Sequence, residues 1–454
     1  MIKNFLLSII ALVFITGIDS VRASDGYAIE FVSENITSQF PDGISFEAVF
    51  ESTSPVDEIR VFYKSENTPT SSYGYMDLDP SLTKVRRAEG EFFLNTAGSG
   101  ASFVPPGTAF TYSFEARNVA GDVMRTTEKE FIYLDQRFEW TSLSNGSISI
   151  FYYGPTENRA QQMLEVSVQS VERMSDVLDV SDVGPINIMA YNNYRHMVGA
   201  LPSRSQAVRE GLKTEGQAFS DFRVLLVLAF GEDFLGVTSH EVTHIIVDDA
   251  ASTASSIVPA WLNEGLAEFG NVAPTDTYER ALLYGIYTRR IKPLWHLQRF
   301  DGEPDDIMIA YGQGKSVVDY LIDLYGTDAM ARLMKELRNE LSIDRALTKV
   351  YGFDQAGLDS DWRKSIGMNP IEANAPYQED EDPEIESTEE PKLIENNLSG
   401  DEILSDDNSQ STSPSCNKSV GESTSVQTDS FLLLLMLGPI GLLPIRNRNR
   451  FWRK

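Results

Sequence analysis

The segment His240-Glu241-Val242-Thr243-His244 constrains this 454-residue chain more than any other, because it uses two of only four histidines. The stretch 237–247 contains no Gly or Pro and ends on three apolar residues, which predicts a helix. Residues four apart lie one above the other on a helix face, so His240 and His244 can bind one metal ion together. Glu241 then lies beside the metal, where it can take a proton from bound water. The spacing therefore predicts a zinc site with Glu241 as its base.

A second segment, VPAWLNEGLAEF at 258–269, follows closely. Pro259 suits a first helical turn, so the pattern predicts a short helix that carries Glu264 near its start. A carboxylate there completes a set of two histidines and one glutamate and leaves a fourth zinc position open. Glu268, one turn further on, is predicted to hold the far ring nitrogen of a ligand histidine, His240 by preference. The alternative for Glu268 is a solvated helix carboxylate.

HEVTH followed by PAWLNEGLAEF resembles the peptidase MA-like family of gluzincin zinc metallopeptidases, which is related to aminopeptidase N. The resemblance implies that Glu264 is the third zinc ligand. The block AYGQGKSVV at 310–318 is similar to the family's tyrosine-x-lysine-glycine segment at the start of a helix. It implies that Tyr311 donates to the oxyanion of the tetrahedral intermediate, a task that suits a neutral phenol. Because Gln313 replaces the family's lysine, a purely structural role for Tyr311 stays open.

The Gly-x-Met-Glu-Asn segment, with which the aminopeptidases hold the substrate's amino group, is not recognisable in this sequence. The apolar run from Val224 to Ala229 predicts an edge strand just before the zinc helix. The resemblance implies that a strand near this position pairs with an extended substrate, so we expect an endopeptidase rather than an aminopeptidase. The other histidines, His196 and His296, lack metal-ligand spacing and are interpreted as structural.

Two folded domains are expected. Residues 26–136 contain short alternating segments, such as ISFEAVF and FTYSFEA, between turns rich in Gly, Pro, Ser and Asn. This pattern predicts an immunoglobulin- or fibronectin III-like β-sandwich, interpreted as a spacer or docking module against a specific ligand-binding role. Residues 137–368 mix helical and strand patterns around the three motifs. The resemblance implies that they form an α+β gluzincin-type catalytic domain.

The two ends of the chain have other compositions. Residues 1–23 combine Lys3, an apolar stretch and a small-residue cleavage site, which predicts a secretory signal peptide. Residues 369–429 are predicted to be an acidic disordered linker, since 379–407 holds 13 acidic residues and one Lys. Residues 430–454 form an apolar run with a basic end, predicted to be a C-terminal anchor or sorting signal. The one cysteine, Cys416, is either a processing or lipidation point or an incidental thiol.

Charge and motifs together define the expected function. A net charge of −29 argues against nucleic acid as a partner. We expect an exported zinc metallopeptidase with one zinc ion per chain, anchored at the cell surface by its C-terminal segment, with peptides or proteins as substrates. The alternative is a non-catalytic adhesion or scaffold protein with a degenerate peptidase fold. The intact Glu241 argues against that alternative, since a decayed enzyme has no reason to keep its base.

Overall fold

The computed structural model describes residues 28–65, 68–78, 86–98, 103–202, 215–339 and 341–371. The predicted signal peptide, the acidic segment 379–407 and the predicted C-terminal anchor lie outside these ranges. Within them, no helix combines the length and apolar character that crossing a membrane requires.

The N-terminal region consists mostly of antiparallel sheet. Its strands in the described residues are β1 (Ile29–Gln39), β2 (Gly43–Ser52), β3 (Val56–Ser65), β4 (Ser72–Tyr75), β5 (Asp77–Leu78), β6 (Arg87–Asn95), β7 (Ala109–Asn118), β8 (Val123–Arg125) and β9 (Lys129–Ile132). One sheet has the order β1-β2-β6-β5, and the other has the order β4-β3-β7-β8 with β9 also on β7. Because side chains alternate across each strand, Phe46, Val61 and Phe114 of the two sheets meet in one core. The prediction of a β-rich N-terminal region is confirmed.

A third sheet lies in the following part of the chain. It comprises β10 (Thr141–Asn145), β11 (Ile148–Tyr152), β12 (Ile186–Tyr191), β13 (Gly216–Phe219) and β14 (Val224–Leu228). The order is β10-β11-β12-β14-β13, with β11, β12 and β14 parallel and the two outer strands antiparallel to their neighbours. The parallel strands are apolar on both faces, as expected for strands covered on both sides.

Most helices of this region lie on one face of the sheet, and α2 lies on the other. The α-helices in the described residues are α1 (Glu157–Leu178), α2 (Tyr194–Val198), α3 (Phe234–Ala251), α4 (Ala260–Gly270), α5 (Thr277–Tyr287), α6 (Pro304–Tyr325), α7 (Thr327–Arg338), α8 (Ile343–Tyr351) and α9 (Gln355–Ser365). Side chains from β11, β12 and β14 share one large core with α1, α3, α4 and α6. The site described below is built from α3, α4, α5 and α6.

The opposite face of the sheet packs against the N-terminal region and the chain that leaves it. Met189, Tyr191 and Leu226 form a separate core there, together with partly buried residues such as Phe40. Hydrogen bonds add to this contact. The Asn187 side chain donates to the Gly107 carbonyl at 2.8 Å, and the Tyr191 hydroxyl donates to the buried Asp135 carboxylate at 3.0 Å. The sheet against which the helices of the site pack is therefore supported on both faces.

The prediction of an edge strand at Val224–Ala229 is wrong. This run forms β14, which has β12 on one side and β13 on the other. All five residues of β14 are buried, as an interior strand requires. The edge belongs to β13, Gly216–Phe219, whose four partly exposed residues show no alternating pattern. The short length of β13 explains why the sequence did not reveal it.

The helix containing Tyr311 also differs from expectation. It begins at Pro304, with Asp305 and Asp306 in its first turn, so Tyr311 lies two turns inside α6 rather than at a helix start. Proline at the first turn and acidic residues beside it are standard helix-start features. The glycines after Tyr311 obscured the helix in the sequence, because glycine disfavours helix interiors. The preceding helix, α5, was not predicted.

Candidate metal centre

Helix α3 places the two histidines of the HEVTH segment on one face. Most of its residues are buried, so the helix is fixed by packing on several sides rather than along one stripe. His240 and His244 are one turn apart, and their Nε2 atoms face the same point. The distance between these two nitrogens is 3.1 Å. Glu264 of α4 brings its Oε2 atom to 3.3 Å from His240 Nε2 and 3.4 Å from His244 Nε2. The sequence-predicted ligand set is thus brought together in space.

The three donor atoms fit a zinc ion. Ligands at about 2.0–2.1 Å in a tetrahedral site lie about 3.3 Å from one another, which matches the triangle of His240, His244 and Glu264. The Glu264 Oε2 atom is buried, and beyond the two imidazole nitrogens it has no hydrogen-bond partner among the described residues. A buried carboxylate oxygen with so few partners is costly unless a cation balances its charge. Two imidazoles and one carboxylate also form a donor set that zinc prefers, with room for a further ligand.

Hydrogen bonds to the far ring nitrogens orient both imidazoles. His240 Nδ1 lies 2.6 Å from Glu268 Oε1, the contact expected from the sequence. His244 Nδ1 lies 3.0 Å from Asn263 Oδ1. Both oxygens accept, so each ring carries a proton on Nδ1, and Nε2 is the atom that would bind a metal once it is deprotonated. Sequence reasoning missed Asn263, although its position directly before Glu264 was a usable signal.

Charges in this cluster support one another. Burial alone lowers the pKa of His240, but hydrogen bonds with Glu264 and Glu268 outweigh it and raise the pKa well above its usual value. Burial alone raises the pKa of Glu264, but the charges and hydrogen bonds of His244 and His240 outweigh it and lower the pKa far below its usual value. The cluster therefore holds Glu264 as a carboxylate, the form that binds a cation.

Glu241 lies between the ligand histidines and the edge strand β13. A Cβ atom added to Gly216 of β13 would lie 2.6 Å from Glu241 Cγ and 2.7 Å from Val237 Cγ1. Only glycine therefore lets the edge strand approach the α3 helix so closely. Burial raises the pKa of the Glu241 carboxyl above its ordinary value, and the neighbouring His244 and His240 partly offset this effect. A carboxylate with a raised pKa is a better proton acceptor than an exposed one.

Tyr311 lies on the other side of the cluster. Its ring centroid is 6.2 Å from that of His240. The ring stacks on Tyr278 at 5.0 Å and meets the Phe300 ring edge-on at 5.1 Å. Burial, followed by the charge of Glu264, raises the pKa of the Tyr311 phenol well above its usual value, so the hydroxyl keeps its proton at neutral pH. Sequence reasoning missed Tyr278, which belongs to the unpredicted helix α5.

Gln313, which stands where the resembled family has lysine, points away from this chemistry. It is fully buried, and its amide donates to the Lys292 carbonyl at 2.7 Å.

The remaining histidines lie outside the group formed by His240, His244 and Glu264. His196 is hydrogen-bonded to Tyr153 at 2.8 Å and to Asn193 at 2.9 Å, and His296 is exposed.

Residues 147–368 match the family model of the Peptidase MA superfamily. This part of the chain therefore belongs to the Peptidase MA superfamily, and the resemblance that its motifs predicted is confirmed. No curated protein matches the chain.

Two solved structures are remotely similar to this chain. An aminopeptidase N family protein from Idiomarina loihiensis shares 10% identity, with 75% of this chain and 76% of that chain covered and a TM-score of 0.30. A carbohydrate-binding module of family 56, described as a β-1,3-glucan binding domain, shares 17% identity over 22% of this chain and 98% of its own, with a TM-score of 0.15. These TM-scores and identities are too low to assign a fold or a function.

Proposed function

We propose that this protein is an exported, surface-anchored zinc metallopeptidase that cuts peptide bonds within chains. The observation that carries the proposal is the convergence of three donor atoms, from His240, His244 and Glu264, within 3.4 Å of one another. Glu241 lies beside these atoms and is not needed to hold the metal. A bound zinc ion supplies Lewis acidity, which activates water and polarises a carbonyl group.

The protein side chains would carry the proton transfers and bind the developing charge. Glu241 accepts a proton from the attacking water and then returns it to the leaving amine, as one general base and acid. The Tyr311 hydroxyl donates a hydrogen bond to the carbonyl oxygen as negative charge develops there. Its raised pKa suits this task, because the phenol must keep its proton in order to donate.

The edge strand supports cleavage within chains. Strand β13 pairs with β14 on one side, and no described strand pairs with its other side. An extended substrate can add to such an edge through main-chain hydrogen bonds, which do not depend on the ends of the substrate. These features favour an endopeptidase over an aminopeptidase.

The finer domain assignments are part of the same proposal. The two antiparallel sheets around one core support an immunoglobulin- or fibronectin III-like sandwich, acting as a spacer or docking module. The position of the ligand set on α3 and α4 supports a gluzincin-type catalytic domain. Export and anchoring rest on the sequence patterns at 1–23 and 430–454.

A peptide assay on the zinc-loaded, purified full chain tests the proposed function. We expect cleavage of casein and of internally quenched peptides that are blocked at both ends, and no cleavage of single aminoacyl amides. Release of N-terminal amino acids without internal cleavage would overturn the endopeptidase assignment. A zinc-loaded chain that leaves both substrate types intact would instead favour the non-catalytic adhesion or scaffold protein.

A further inference from the structure

Helices α5 and α6 pack at very short range. A Cβ atom added to Gly312 of α6 would overlap the backbone carbonyl of Tyr278 on α5 and would lie 3.1 Å from Leu282 Cβ. Gly285 of α5 is equally crowded, since its added Cβ would lie 2.6 Å from Ile309 Cγ2 of α6. Each helix thus contributes one glycine to the contact. The two backbones therefore lie closer together than larger residues at these positions would allow.

This close packing brings Tyr278 onto Tyr311. The two rings are nearly parallel, with centroids 5.0 Å apart and an interplanar angle of 18°. Phe300 contacts the Tyr311 ring edge-on, with an interplanar angle of 75°. Offset stacking and edge contacts at these distances are the favourable arrangements of aromatic pairs. The Tyr311 ring is therefore held by two aromatic neighbours while it lies beside His240.

A hydrogen-bond donor stabilises an oxyanion only when it is aimed at the position where the charge develops. Tyr311 projects from the middle of a long helix, and rotation about its side-chain torsions would move the hydroxyl by several ångströms. Neither Lys315 nor Gln313 holds the ring, since Lys315 pairs with Asp319 and Gln313 donates to the Lys292 carbonyl. The stacked face of Tyr278 restricts that rotation.

We propose that Tyr278 is a positioning residue, whose ring holds the Tyr311 hydroxyl in the orientation that binds the oxyanion. This inference rests on the proposed function, because it assigns to Tyr278 an effect that acts through Tyr311. The flat ring of Tyr278 is what matters, and its hydroxyl is not required.

Five variants of the full chain test the inference with an internally quenched peptide taken from a casein cleavage site: Tyr278→Leu, Tyr278→Phe, Tyr311→Phe, the double variant of Tyr311→Phe with Tyr278→Leu, and Tyr287→Ala. Tyr278→Leu keeps apolar volume but removes the flat ring, so kcat should fall by about tenfold or more while KM changes little. Tyr278→Phe keeps the ring and should retain most of the activity. In the Tyr311→Phe background, Tyr278→Leu should cause no further loss, because the hydroxyl it orients is already absent. Tyr287→Ala, on an exposed residue of the same helix, is the matched control and should leave kcat unchanged.

The outcomes separate two failures. Full activity in Tyr278→Leu, or the same loss in both backgrounds, would overturn the positioning role of Tyr278 and leave the peptidase assignment standing. Full activity in Tyr311→Phe would remove the oxyanion role itself, and the inference with it. Zinc content and the thermal unfolding midpoint of each variant show whether it is folded and loaded. A Tyr278→Leu chain that loses zinc or unfolds also contradicts the inference, because its effect then does not act through Tyr311.

Discussion

The two sides of the site are held in place by different interactions. On the ligand side, His240, His244 and Glu264 come from α3 and α4. The imidazoles are fixed by hydrogen bonds that their Nδ1 atoms donate to Glu268 and Asn263. On the phenol side, the ring of Tyr311 is held by contacts with aromatic rings and by a glycine-mediated helix packing. Hydrogen bonds orient a side chain because a donor must face an acceptor. Apolar contacts orient a side chain only through the shape of the space around it. The ligand side should therefore respond to changes of charge, and the phenol side to changes of volume.

The largest expected effect is loss of the metal from the ligand side. His244→Ala leaves two of the three donors, so the purified chain should contain far less than one zinc ion per molecule, and casein cleavage should stop. Chelation of the unaltered protein at neutral pH should have the same effect. Metal analysis with His296→Ala as the control for an exposed histidine checks both statements. A metal-free chain that still cleaves casein would rule out zinc.

The next effect separates metal binding from proton transfer. Glu241→Gln keeps the size of the side chain but cannot accept a proton, so turnover should fall by roughly 100-fold or more. Zinc content should stay at one per chain, because Glu241 is not among the three donors. Unchanged turnover in this variant would move the base to another residue.

The hydrogen bonds behind the imidazoles should matter for affinity. Glu268→Ala removes a charged acceptor from His240 and should weaken zinc binding by about 10- to 100-fold. Asn263→Ala removes a neutral acceptor from His244, so its effect should be smaller. Competition with a chelator measures both affinities. A larger loss of zinc affinity in Asn263→Ala than in Glu268→Ala would show that the charge of Glu268 adds little to zinc binding.

The smallest effect in the series belongs to the phenol side. Helix propensity favours alanine over glycine by about 1 kcal/mol, yet at Gly312 the added methyl group would overlap the Tyr278 carbonyl. Gly312→Ala should therefore displace α5 from α6 and lower kcat by about tenfold, with zinc content unchanged. Asp323→Ala, at an exposed position of the same helix, is the control. A fall in zinc content in Gly312→Ala would mean that the two sides of the site are not independent.

Sequence patterns predicted the ligand side far better than the phenol side. The spacing of His240 and His244 follows from helical periodicity, which needs no information from the rest of the fold. The contact between Glu268 and His240 was also expected, because Glu264 and Glu268 lie one turn apart on a single helix. Tyr278 could not be found in this way, since its relation to Tyr311 depends on how α5 packs against α6.

The position of strand β13 also could not be predicted from sequence patterns. The apolar run at Val224–Leu228 indicated a strand correctly, but its place in the sheet depends on a neighbour of only four residues. A short strand with partly exposed residues has too little pattern to be recognised. Its proximity to Glu241 depends on Gly216, whose role appears only when the backbone of α3 lies beside it.

The sequence by itself thus determined the grouping of His240, His244 and Glu264, the membership of residues 147–368 in the Peptidase MA superfamily and the β-rich N-terminal region. Each of these follows from patterns within a few helical turns or strands, where the periodicity of the backbone links residue spacing to direction. Only the tertiary structure decided which strand forms the open edge, that Asn263 orients the His244 imidazole and which ring supports Tyr311. Those contacts join residues that are distant along the chain, and they depend on close packing that no local pattern encodes.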